Sequence, residues 1–428
     1  MSVGLQRLRE DADRLKLAAA DKGEDPSVVD RAVELDERRR ALVGEADALK
    51  AERNDASRRI GEAIRAGADP NGPEVAELKT ASAATADRIG QLDAELATVD
   101  SELTDAMLRI PNPADPDVPV GGEDANLVVR SWGDPLPREG RLPHWELAEG
   151  LGIIDNTRGA QVTGSGWPVY VGDGATLQRA LIGWFLDVHA REHGMTEVWP
   201  PTVVNADSAR GTGQIPDKED QMYVVERDDL YLVPTAEVPV TNLHRDEILD
   251  ADALPIRYAA YSASFRREAG AAGRDTRGIL RVHQFDKVEM VSFTLPEDSP
   301  EELEWLTGCA ETLLQRLGLA YRVVLMSTRE MGFVQARKYD LEVWAPGVER
   351  WLEVSSVSNF RDYQARRMAI RYRSEAGARP ELVHTLNGSG LALPRTVAAL
   401  LETYQRPDGS VSIPDVLRPA FGGRELIA

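Results

Sequence analysis

The 428-residue sequence has a single cysteine, Cys309, and only six histidines. One cysteine excludes an internal disulfide and any cysteine-rich zinc site, and it is typical of a protein of the reducing cytoplasm. The histidines lack the H-E-x-x-H spacing of a zinc peptidase, so we predict no zinc. Cys309 lies in the helical pattern EELEWLTGCAETLLQRL, where we interpret it as a small core residue.

Long apolar runs and a basic excess are also missing. No apolar stretch approaches the ~20 residues that cross a bilayer, and the N-terminal MSVGLQRLREDADRLK lacks the apolar centre of a secretory signal. We therefore predict a cytoplasmic protein with no membrane partner. The formal net charge of −21 disfavours broad binding to nucleic acid, and we predict no DNA partner. A local basic surface is still compatible with this net charge.

The first ~110 residues contain no aromatic residue and follow two heptad patterns. The apolar stripes consist of Leu35, Leu42, Leu49, Ala56, Ile60 and Ile64, and of Ile89, Leu92, Leu96, Val99 and Leu103. The breaker AGADPNGP separates them at 66–73, so we predict an antiparallel coiled-coil hairpin over residues 1–110. With some 35 residues per helix at ~1.5 Å each, this arm would project about 50 Å into solvent.

The two predicted helices of the hairpin differ in charge. The basic residues of the first are Arg31, Arg38, Arg39, Arg40, Lys50, Arg53, Arg58, Arg59 and Arg65, whereas the second is mostly acidic. One interpretation is a solvated face with i,i+4 pairs such as Glu34–Arg38. The other is that the first helix offers its cations to a polyanion. The pattern alone favours the solvated face and leaves both open.

Residues 111–125, PNPADPDVPVGGEDA, have no periodicity and are predicted to be a linker. From residue 126 to 428 short strand patterns alternate with helical ones, and aromatic residues appear. Neighbouring strand patterns are joined as in hairpins. We therefore predict an α+β domain with a mainly antiparallel sheet flanked by helices.

The segment SFRREAGAAGRDTRGILRVHQFDKVEM gathers five arginines in an acidic chain. They are Arg266, Arg267, Arg274, Arg277 and Arg281. We predict a strand, a glycine-rich loop and a second strand that places Arg281, His283, Phe285, Lys287 and Glu289 on one face. Such a face can clamp a polyphosphate and stack a base, or it can be a structural ion-pair network; the pattern does not decide between them.

Common nucleotide and hydrolase motifs are absent: the chain has no G-x-x-x-x-G-K-[ST], no G-x-G-x-x-G after a strand and no G-x-S-x-G. Glu353 precedes Ser355 and Ser356 in WLEVSSV, a set that can ligate Mg²⁺ on a nucleotide. Strict alternation aligns Glu353 with Ser355, so a role for Ser356 requires an irregular strand end. VHTLNGSGLALPRTV predicts a strand, a glycine-rich turn and a helix whose first turn holds Arg395.

These motifs resemble, in order, those of class II aminoacyl-tRNA synthetases in the form found in seryl-tRNA synthetases. The arginine-rich segment is similar to motif 2, GMTEVWPPTVVN with Pro201 to motif 1, and NGSGLALPRTVAALLETYQ to motif 3. PTAEVPV is similar to the family's serine-binding loop, and the hairpin to its tRNA-binding arm. Gly166–Trp167 departs from the family's usual Arg–Phe pair without touching a catalytic position.

The resemblance implies a role for each matching residue. It assigns serine to Thr235, Ala236, Glu237, Glu289, Asn387 and Ser389. It assigns ATP to Arg266, Arg267, Glu268, Phe285, Glu353, Val354, Ser355, Ser356 and Arg395, with Arg266 and Arg395 catalytic. Glu353 and Ser356 would hold Mg²⁺ with ATP. Pro201 would lie at a homodimer interface, and Arg38, Arg39, Arg53 and Arg58 are candidate tRNA contacts.

The resemblance therefore implies an ATP-dependent serine–tRNA ligase of protein biosynthesis. It would form seryl-adenylate and transfer serine to the 3′ end of tRNA(Ser), and of tRNA(Sec) where one exists. Two alternatives are a ligase that loads an amino acid onto a carrier protein and a non-catalytic RNA-binding relative. The hairpin argues against the first, and the complete motif set argues against the second.

Overall fold

The computed structural model describes residues 3–270 and 277–428. The chain divides into two compact units, Met1–Pro111 and Asn112–Ala428. Within the described ranges, no helix combines the length and the hydrophobicity that a membrane span requires.

The first unit is entirely helical. Its helices are α1 (Leu5–Glu10), α2 (Ala12–Asp21), α3 (Ser27–Arg65) and α4 (Pro73–Leu108). The breaker between α3 and α4 lies where the composition predicts it, and Pro73 occupies the first turn of α4. Leu35 and Leu42 of α3 and Leu92, Val99 and Leu103 of α4 share one buried cluster, so the predicted hairpin is confirmed.

The charges of the hairpin pair mostly between its helices. Arg31 binds Glu102, Arg38 binds Glu95 and Arg39 binds Asp100, each with a nitrogen–oxygen distance of 2.6 Å. The predicted Glu34–Arg38 pair is not found among the described residues, where Glu34 lies 3.8 Å from Arg31 and Arg38 binds Glu95 instead. The acidic character of α4 is a complement to the basic character of α3.

The described residues of the second unit form eight further α-helices and eighteen strands. The helices are α5 (His144–Gly150), α6 (Asn156–Val162), α7 (Asp173–Arg191), α8 (Ala206–Thr212), α9 (Glu237–Thr241), α10 (Ser299–Arg316), α11 (Tyr363–Met368) and α12 (Leu393–Tyr404). The strands are β1 (Leu127–Trp132), β2 (Ile154–Asp155), β3 (Val169–Tyr170), β4 (Thr196–Val198), β5 (Val203–Asn205), β6 (Val224–Val225), β7 (Leu230–Leu232), β8 (Ile248–Asp250), β9 (Ile256–Phe265), β10 (Gln284–Thr294), β11 (Tyr321–Leu325), β12 (Arg337–Ala345), β13 (Arg350–Asn359), β14 (Arg371–Arg373), β15 (Glu381–Leu382), β16 (His384–Ala392), β17 (Val411–Ser412) and β18 (Leu426–Ile427).

Eight strands form the central sheet in the order β1-β11-β12-β13-β16-β10-β9-β4. Every neighbouring pair is antiparallel except β4 and β9, which run parallel. The α+β class with a mainly antiparallel sheet is thus confirmed. The order brings β9, β10, β16 and β13 together at the centre, and three of these strands carry predicted site residues: β10 has Phe285 and Glu289, β13 has Glu353 to Ser356, and β16 has Asn387 and Ser389.

One face of this sheet is covered by α7, α10 and α12. Leu181, Leu306 and Leu401 from these helices join Met290 and Val357 from the strands in the largest buried cluster. Cys309 is buried in the same cluster, which confirms its core role, and burial raises the pKa of its thiol to about 12. Because side chains alternate along a strand, Glu289 and Ser356 point to the other face.

Two predicted boundaries are wrong. The glycine-rich segment after His384 is no turn, because β16 continues to Ala392 and α12 begins at the next residue. A Cβ on Gly390 would lie 2.2 Å from His189 Nε2, and one on Gly388 would lie 3.0 Å from both Val357 methyls. These glycines allow close packing. The second strand of the arginine-rich segment, predicted to include Arg281 and His283, begins only at Gln284.

Candidate active site

A cavity of about 450 Å³ opens on the face of the central sheet opposite to α7, α10 and α12. Its walls come from β10, β12, β13 and β16, the first turn of α12, and the segments 213–222, 234–237, 266–268, 280–282 and 334–335. The predicted site residues that line it are Thr235, Glu237, Arg266, Glu268, Phe285, Glu289, Glu353, Val354, Ser355, Ser356, Asn387, Ser389 and Arg395. Residues up to 160 positions apart in sequence therefore share one site.

One end of the cavity holds two buried glutamates. Burial, together with the nearby Glu289 carboxylate, raises the pKa of Glu237 to about 7. Gln364 Nε2 donates a 2.7 Å hydrogen bond to Glu237 Oε1, and the Thr385 hydroxyl donates to the side-chain oxygen Oε1 of Gln364 at 2.8 Å. Glu289 Oε2 lies 2.5 Å from Lys287 Nζ but has no well-aligned hydrogen bond among the described residues. Such a pocket suits a small cation with a hydroxyl group.

A β-bulge in β13 solves the alignment of Glu353 and Ser356. Leu341 of β12 pairs with Ser355 of β13, but the next residue of β12, Glu342, pairs with Glu353. Val354 is therefore the extra residue of β13. The bulge turns Glu353 to the face that Ser356 occupies. Ser355 instead donates a 2.6 Å hydrogen bond to the Ser389 carbonyl oxygen. The expected irregularity exists, although it lies within the strand and not at its end.

Cations surround Glu353. Although burial acts in the opposite direction, Lys338, Arg395 and Arg266 lower the pKa of its carboxyl. Arg395 Nη1 lies 3.6 Å from Glu353 Oε2 and donates a 3.0 Å hydrogen bond to its carbonyl oxygen. The carboxylate is therefore ionised at neutral pH and available to a hard cation.

Arg266 and Phe285 define another part of the wall. The Arg266 guanidinium carbon lies 5.1 Å from the Phe285 ring centroid. No carboxylate pairs with Arg266 within the described part of the chain, which favours a ligand over a structural ion pair for this residue. The Arg281 guanidinium, by contrast, lies 2.6 Å from a Glu268 carboxylate oxygen. The structural ion-pair interpretation of the arginine-rich segment thus holds for Arg281, and the ligand-binding interpretation stays a prediction for Arg266.

Alternation along β10 is confirmed from Phe285 onward, since Phe285, Lys287 and Glu289 line the cavity while Val288 and Met290 are buried in the core. Before β10 it fails. Leu280, Arg281 and Val282 are consecutive and all line the cavity, and His283 stacks on Trp167 with ring centroids 5.7 Å apart. Trp167, which belongs to the Gly166–Trp167 pair that differs from the family's usual Arg–Phe, thus packs against the residue just before β10.

Several predicted residues lie elsewhere. Ala236 is fully buried in a separate core cluster, and Arg267 donates to the Asp220 carbonyl oxygen beside the cavity. Pro201 follows the edge strand β4, away from the cavity lining. Arg38, Arg39, Arg53 and Arg58 all lie on α3 of the first unit. Arg274 lies outside the described residues.

Sequence reasoning missed Lys338, Asp340 and Gln364. Lys338 lines the cavity beside Glu353, and its ammonium lies 3.1 Å from the buried Asp340 carboxylate. A signal was available, because Lys338, Asp340 and Glu342 alternate with apolar residues inside a central strand. Gln364 gave no signal; only the packing of α11 brings it to Glu237.

In the described residues no group of three or more histidines, cysteines, aspartates or glutamates is placed to hold a metal ion. Glu353 and Ser356 offer one carboxylate and one hydroxyl oxygen. Mg²⁺ keeps several waters and binds proteins through one or two carboxylates plus substrate phosphates. The donor set therefore fits a magnesium ion that arrives with a nucleotide.

Comparison with known proteins gives matches over both units. Residues 4–114 match the family described as Seryl-tRNA synthetase N-terminal domain, and residues 223–404 match the tRNA synthetase class II core domain (G, H, P, S and T). A serine–tRNA ligase of Thermomicrobium roseum is 54% identical over 427 residues, which are 99% of this chain and 94% of that protein.

Solved structures agree with the sequence matches. The seryl-tRNA synthetase of Pyrococcus horikoshii, solved in complex with ATP, is 37% identical with a TM-score of 0.92, and the match covers 99% of both chains. The cytoplasmic serine–tRNA ligase of Naegleria fowleri, solved in complex with AMP, is 30% identical with a TM-score of 0.88 over 100% of this chain and 99% of that one.

Proposed function

The chain belongs to the seryl-tRNA synthetase family of ATP-dependent class II aminoacyl-tRNA ligases, and on that premise we propose how its cavity carries out the reaction. One observation supports the proposal above the others. Thr235, Glu237, Glu289, Glu353 and Arg395, which come from separate segments, line one cavity with the chemistry that serine and ATP require.

We place serine at the end of the cavity that holds the two glutamates. Glu237 and Thr235 bind the ammonium group, and Glu289, Ser389 and Asn387 face the hydroxyl. Glu289 Oε2 supports this assignment, since it is a buried acceptor without an aligned donor. A site that hydrogen-bonds a hydroxyl rejects an analogue without it by roughly 10⁴-fold, so alanine is excluded. Threonine is excluded by the size of the pocket.

We place ATP along Arg266, Phe285 and Arg395. The adenine stacks on Phe285 and is read by Glu268, Arg266 contacts the α-phosphate, and Arg395 contacts the γ-phosphate. Arg267, Val354 and Ser355 complete the surroundings. Glu353 and Ser356 would hold Mg²⁺, which when bound neutralises charge on the phosphates.

In the first step a serine carboxylate oxygen attacks the α-phosphorus, and the bond from that phosphorus to the bridging oxygen breaks, releasing pyrophosphate. In the second, a hydroxyl of the terminal tRNA ribose attacks the seryl carbonyl carbon and AMP leaves. Arg266 and Arg395 orient the reactants and stabilise the charge that develops on the phosphates. No covalent intermediate with the protein is required.

We propose that the hairpin binds tRNA(Ser), and tRNA(Sec) where present, through shape and backbone contacts. Arg38 and Arg39 are engaged by α4 carboxylates, and Arg58 pairs with Asp55. Arg53 and Arg59 have no carboxylate partner within the described residues. The part of α3 beyond Lys50 therefore has the cations most available to phosphate.

We also propose a homodimer in the cytoplasm, where its three substrates occur. Motif 1 carries Pro201 beside the edge strand β4, and the neighbouring Trp199 is 72% exposed. An edge strand next to an exposed tryptophan suits a contact between two copies. Sedimentation equilibrium measures the mass directly, and a monomer at micromolar concentration would contradict the proposal.

The deciding experiment is amino-acid-dependent ATP–pyrophosphate exchange with serine, threonine, glycine, alanine and cysteine. We expect exchange with serine alone. Preference for glycine or alanine would favour a ligase that loads a carrier protein. Exchange with none of the five would favour a non-catalytic RNA-binding relative.

A further inference from the structure

A buried histidine–glutamate pair outside the cavity has no role in the mechanism above. His144, the first residue of α5, and Glu402, in the last turn of α12, are both fully buried. Their side chains meet at 2.8 Å, from His144 Nδ1 to Glu402 Oε1. Burying an ionisable pair costs desolvation free energy, and we therefore asked what this pair contacts.

The hydrogen bonds of Glu402 fix the tautomer of His144. Oε1 also accepts from the His144 backbone N–H at 2.9 Å, and Oε2 accepts from the backbone N–H groups of Gly347 and Val348 at 2.8 and 3.1 Å. A carboxylate surrounded by four donors acts as an acceptor only. The His144 proton therefore sits on Nδ1, and Nε2 presents a lone pair.

That lone pair faces the segment 278–281. The Ile279 backbone N–H donates to His144 Nε2 at 3.4 Å. Gly278 has a φ of +70°, and a Cβ there would lie 2.2 Å from the same nitrogen. The backbone thus approaches the imidazole as closely as a glycine allows.

Helix α12, which carries Glu402, also contacts Leu280, the residue after Ile279. Arg395 Nε donates to the Leu280 carbonyl oxygen at 3.2 Å, and Arg395 and Glu402 lie seven positions apart, on one face of α12. Arg395, near the start of α12, therefore binds Leu280 directly, and Glu402, near its end, contacts Ile279 through His144.

The held segment forms part of the cavity wall. Leu280 and Arg281 line the cavity, and Arg281 binds Glu268 at 2.6 Å. Residues 279–281 precede β10, which begins at Gln284, and no described strand pairs with them. The position of Arg281, and through it that of Glu268, depends on how Ile279 and Leu280 are held.

We propose that His144, oriented by Glu402, is a positioning residue for ATP: it holds the Ile279 backbone so that Arg281 and Glu268 are in place before the nucleotide binds. The inference rests on the proposed function, which assigns Glu268 to adenine. Serine, bound by Glu237 and Glu289 on other elements, does not depend on this contact.

Two matched variants separate positioning from stability. The amide of His144→Asn can replace Nδ1 as donor to Glu402 but does not reach Ile279. The amide oxygen of His144→Gln can replace Nε2 as acceptor from Ile279, while the donor to Glu402 is lost. ATP and serine dissociation constants are measured by titration calorimetry, which needs no turnover, and melting temperatures by scanning calorimetry.

We expect His144→Asn to weaken ATP binding by about tenfold, as the loss of a buried acceptor predicts, and to leave serine binding within about twofold. His144→Gln should retain ATP binding within about threefold even if its melting temperature is the lower of the two. ATP affinity that follows melting temperature in both variants, or that is unchanged in His144→Asn, would overturn the proposal.

The wild-type protein provides a measurement that needs no variant. Hydrogen–deuterium exchange of a peptide spanning 277–283 should show a protected Ile279 amide in the absence of ATP. Rapid exchange that slows only when ATP is added would refute prior positioning. Serine-dependent pyrophosphate exchange by the wild type is run alongside; its absence would refute the proposed function without deciding the ATP measurements.

Discussion

Lys287 and Glu289 form an ion pair in the wall of the cavity, with Nζ 2.5 Å from Oε2 and both residues more than nine-tenths buried. They lie two positions apart on β10 and therefore on the same face of the sheet. Removing one member of such a pair leaves the other charge buried without compensation, at a cost of about 3–5 kcal/mol. The pair thus links the serine pocket to the stability of the sheet.

Glu289→Gln should weaken serine binding at least about 100-fold and lower the unfolding free energy by a few kcal/mol, while ATP binding changes by less than about threefold. Serine KM in pyrophosphate exchange and ATP binding by calorimetry measure the two effects. Glu304→Gln, which removes an exposed partner of Arg130, is the control and should alter neither. Equal loss of serine and ATP binding would contradict the role of Glu289.

Serine binding should depend on pH through Glu237. Only the ionised carboxylate attracts the serine ammonium, and the pKa of Glu237 is raised to about 7. Serine KM should therefore increase as pH falls below 7, by up to about tenfold per pH unit, while ATP KM changes less. Exchange kinetics between pH 6 and 8.5 measure both constants, and a flat serine profile would refute the assignment.

Glu237→Gln provides the matching stability test. Because the pKa is higher in the folded chain than in the unfolded one, ionisation of this carboxyl costs folding free energy as pH rises from about 4.5 to 7. Glutamine removes that cost and can still accept from Gln364. We expect the variant to lose serine binding and yet to have an unfolding free energy at pH 8 that is larger by on the order of 3 kcal/mol, and therefore a higher melting temperature. A lower melting temperature would show that contacts of the ionised Glu237 carboxylate in the folded protein offset the free-energy cost of burying its charge.

Shortening the hairpin should separate the two steps of the reaction. Replacing residues 51–88 by a short turn keeps the buried Leu35, Leu42, Leu92 and Val99 together. Serine-dependent exchange should be unchanged, whereas the rate of tRNA charging should fall by at least about 100-fold, since the phosphate contacts provide most of the affinity. Full charging activity in the shortened protein would exclude the distal half of the hairpin as the tRNA-binding surface.

The double variant Arg53→Ala/Arg59→Ala tests that surface without shortening it. We expect charging kcat/KM to fall about tenfold or more, with a salt dependence shallower by about one to two phosphate contacts. Arg31→Ala, which removes an exposed pair with Glu102, is the control for lost charge on the same helix. A similar fall in the control would point to general electrostatics.

Gly390→Ala should destabilise the second unit. The new methyl would lie 2.2 Å from Nε2 of the fully buried His189, and overpacking of this kind costs about 1–3 kcal/mol. Gly183→Ala, within α7 and with no atom within 4 Å of the added methyl, should instead stabilise by about 0.5–1 kcal/mol. Thermal unfolding compares the two, and similar melting temperatures would show that β16 can shift away from His189.

The sequence by itself determined the features that depend on neighbouring residues. Heptad spacing and the breaker at 66–73 define the hairpin, because each turn of a helix repeats the same local condition. Alternation from Phe285 to Glu289 defines one polar face of β10 for the same reason. The order of the motifs then indicated the family, which the comparisons confirm.

Only the tertiary structure decided the features that depend on contacts between distant segments. The extra residue Val354, which brings Glu353 to the face of Ser356, is set by the pairing of β13 with β12. The glycines of β16 are required by His189 and Val357, and no local rule distinguishes them from turn glycines. Likewise Gln364 reaches Glu237, and His144 reaches Ile279, across more than 120 positions of sequence. Such contacts form only when separate elements pack, so no pattern along the chain encodes them individually.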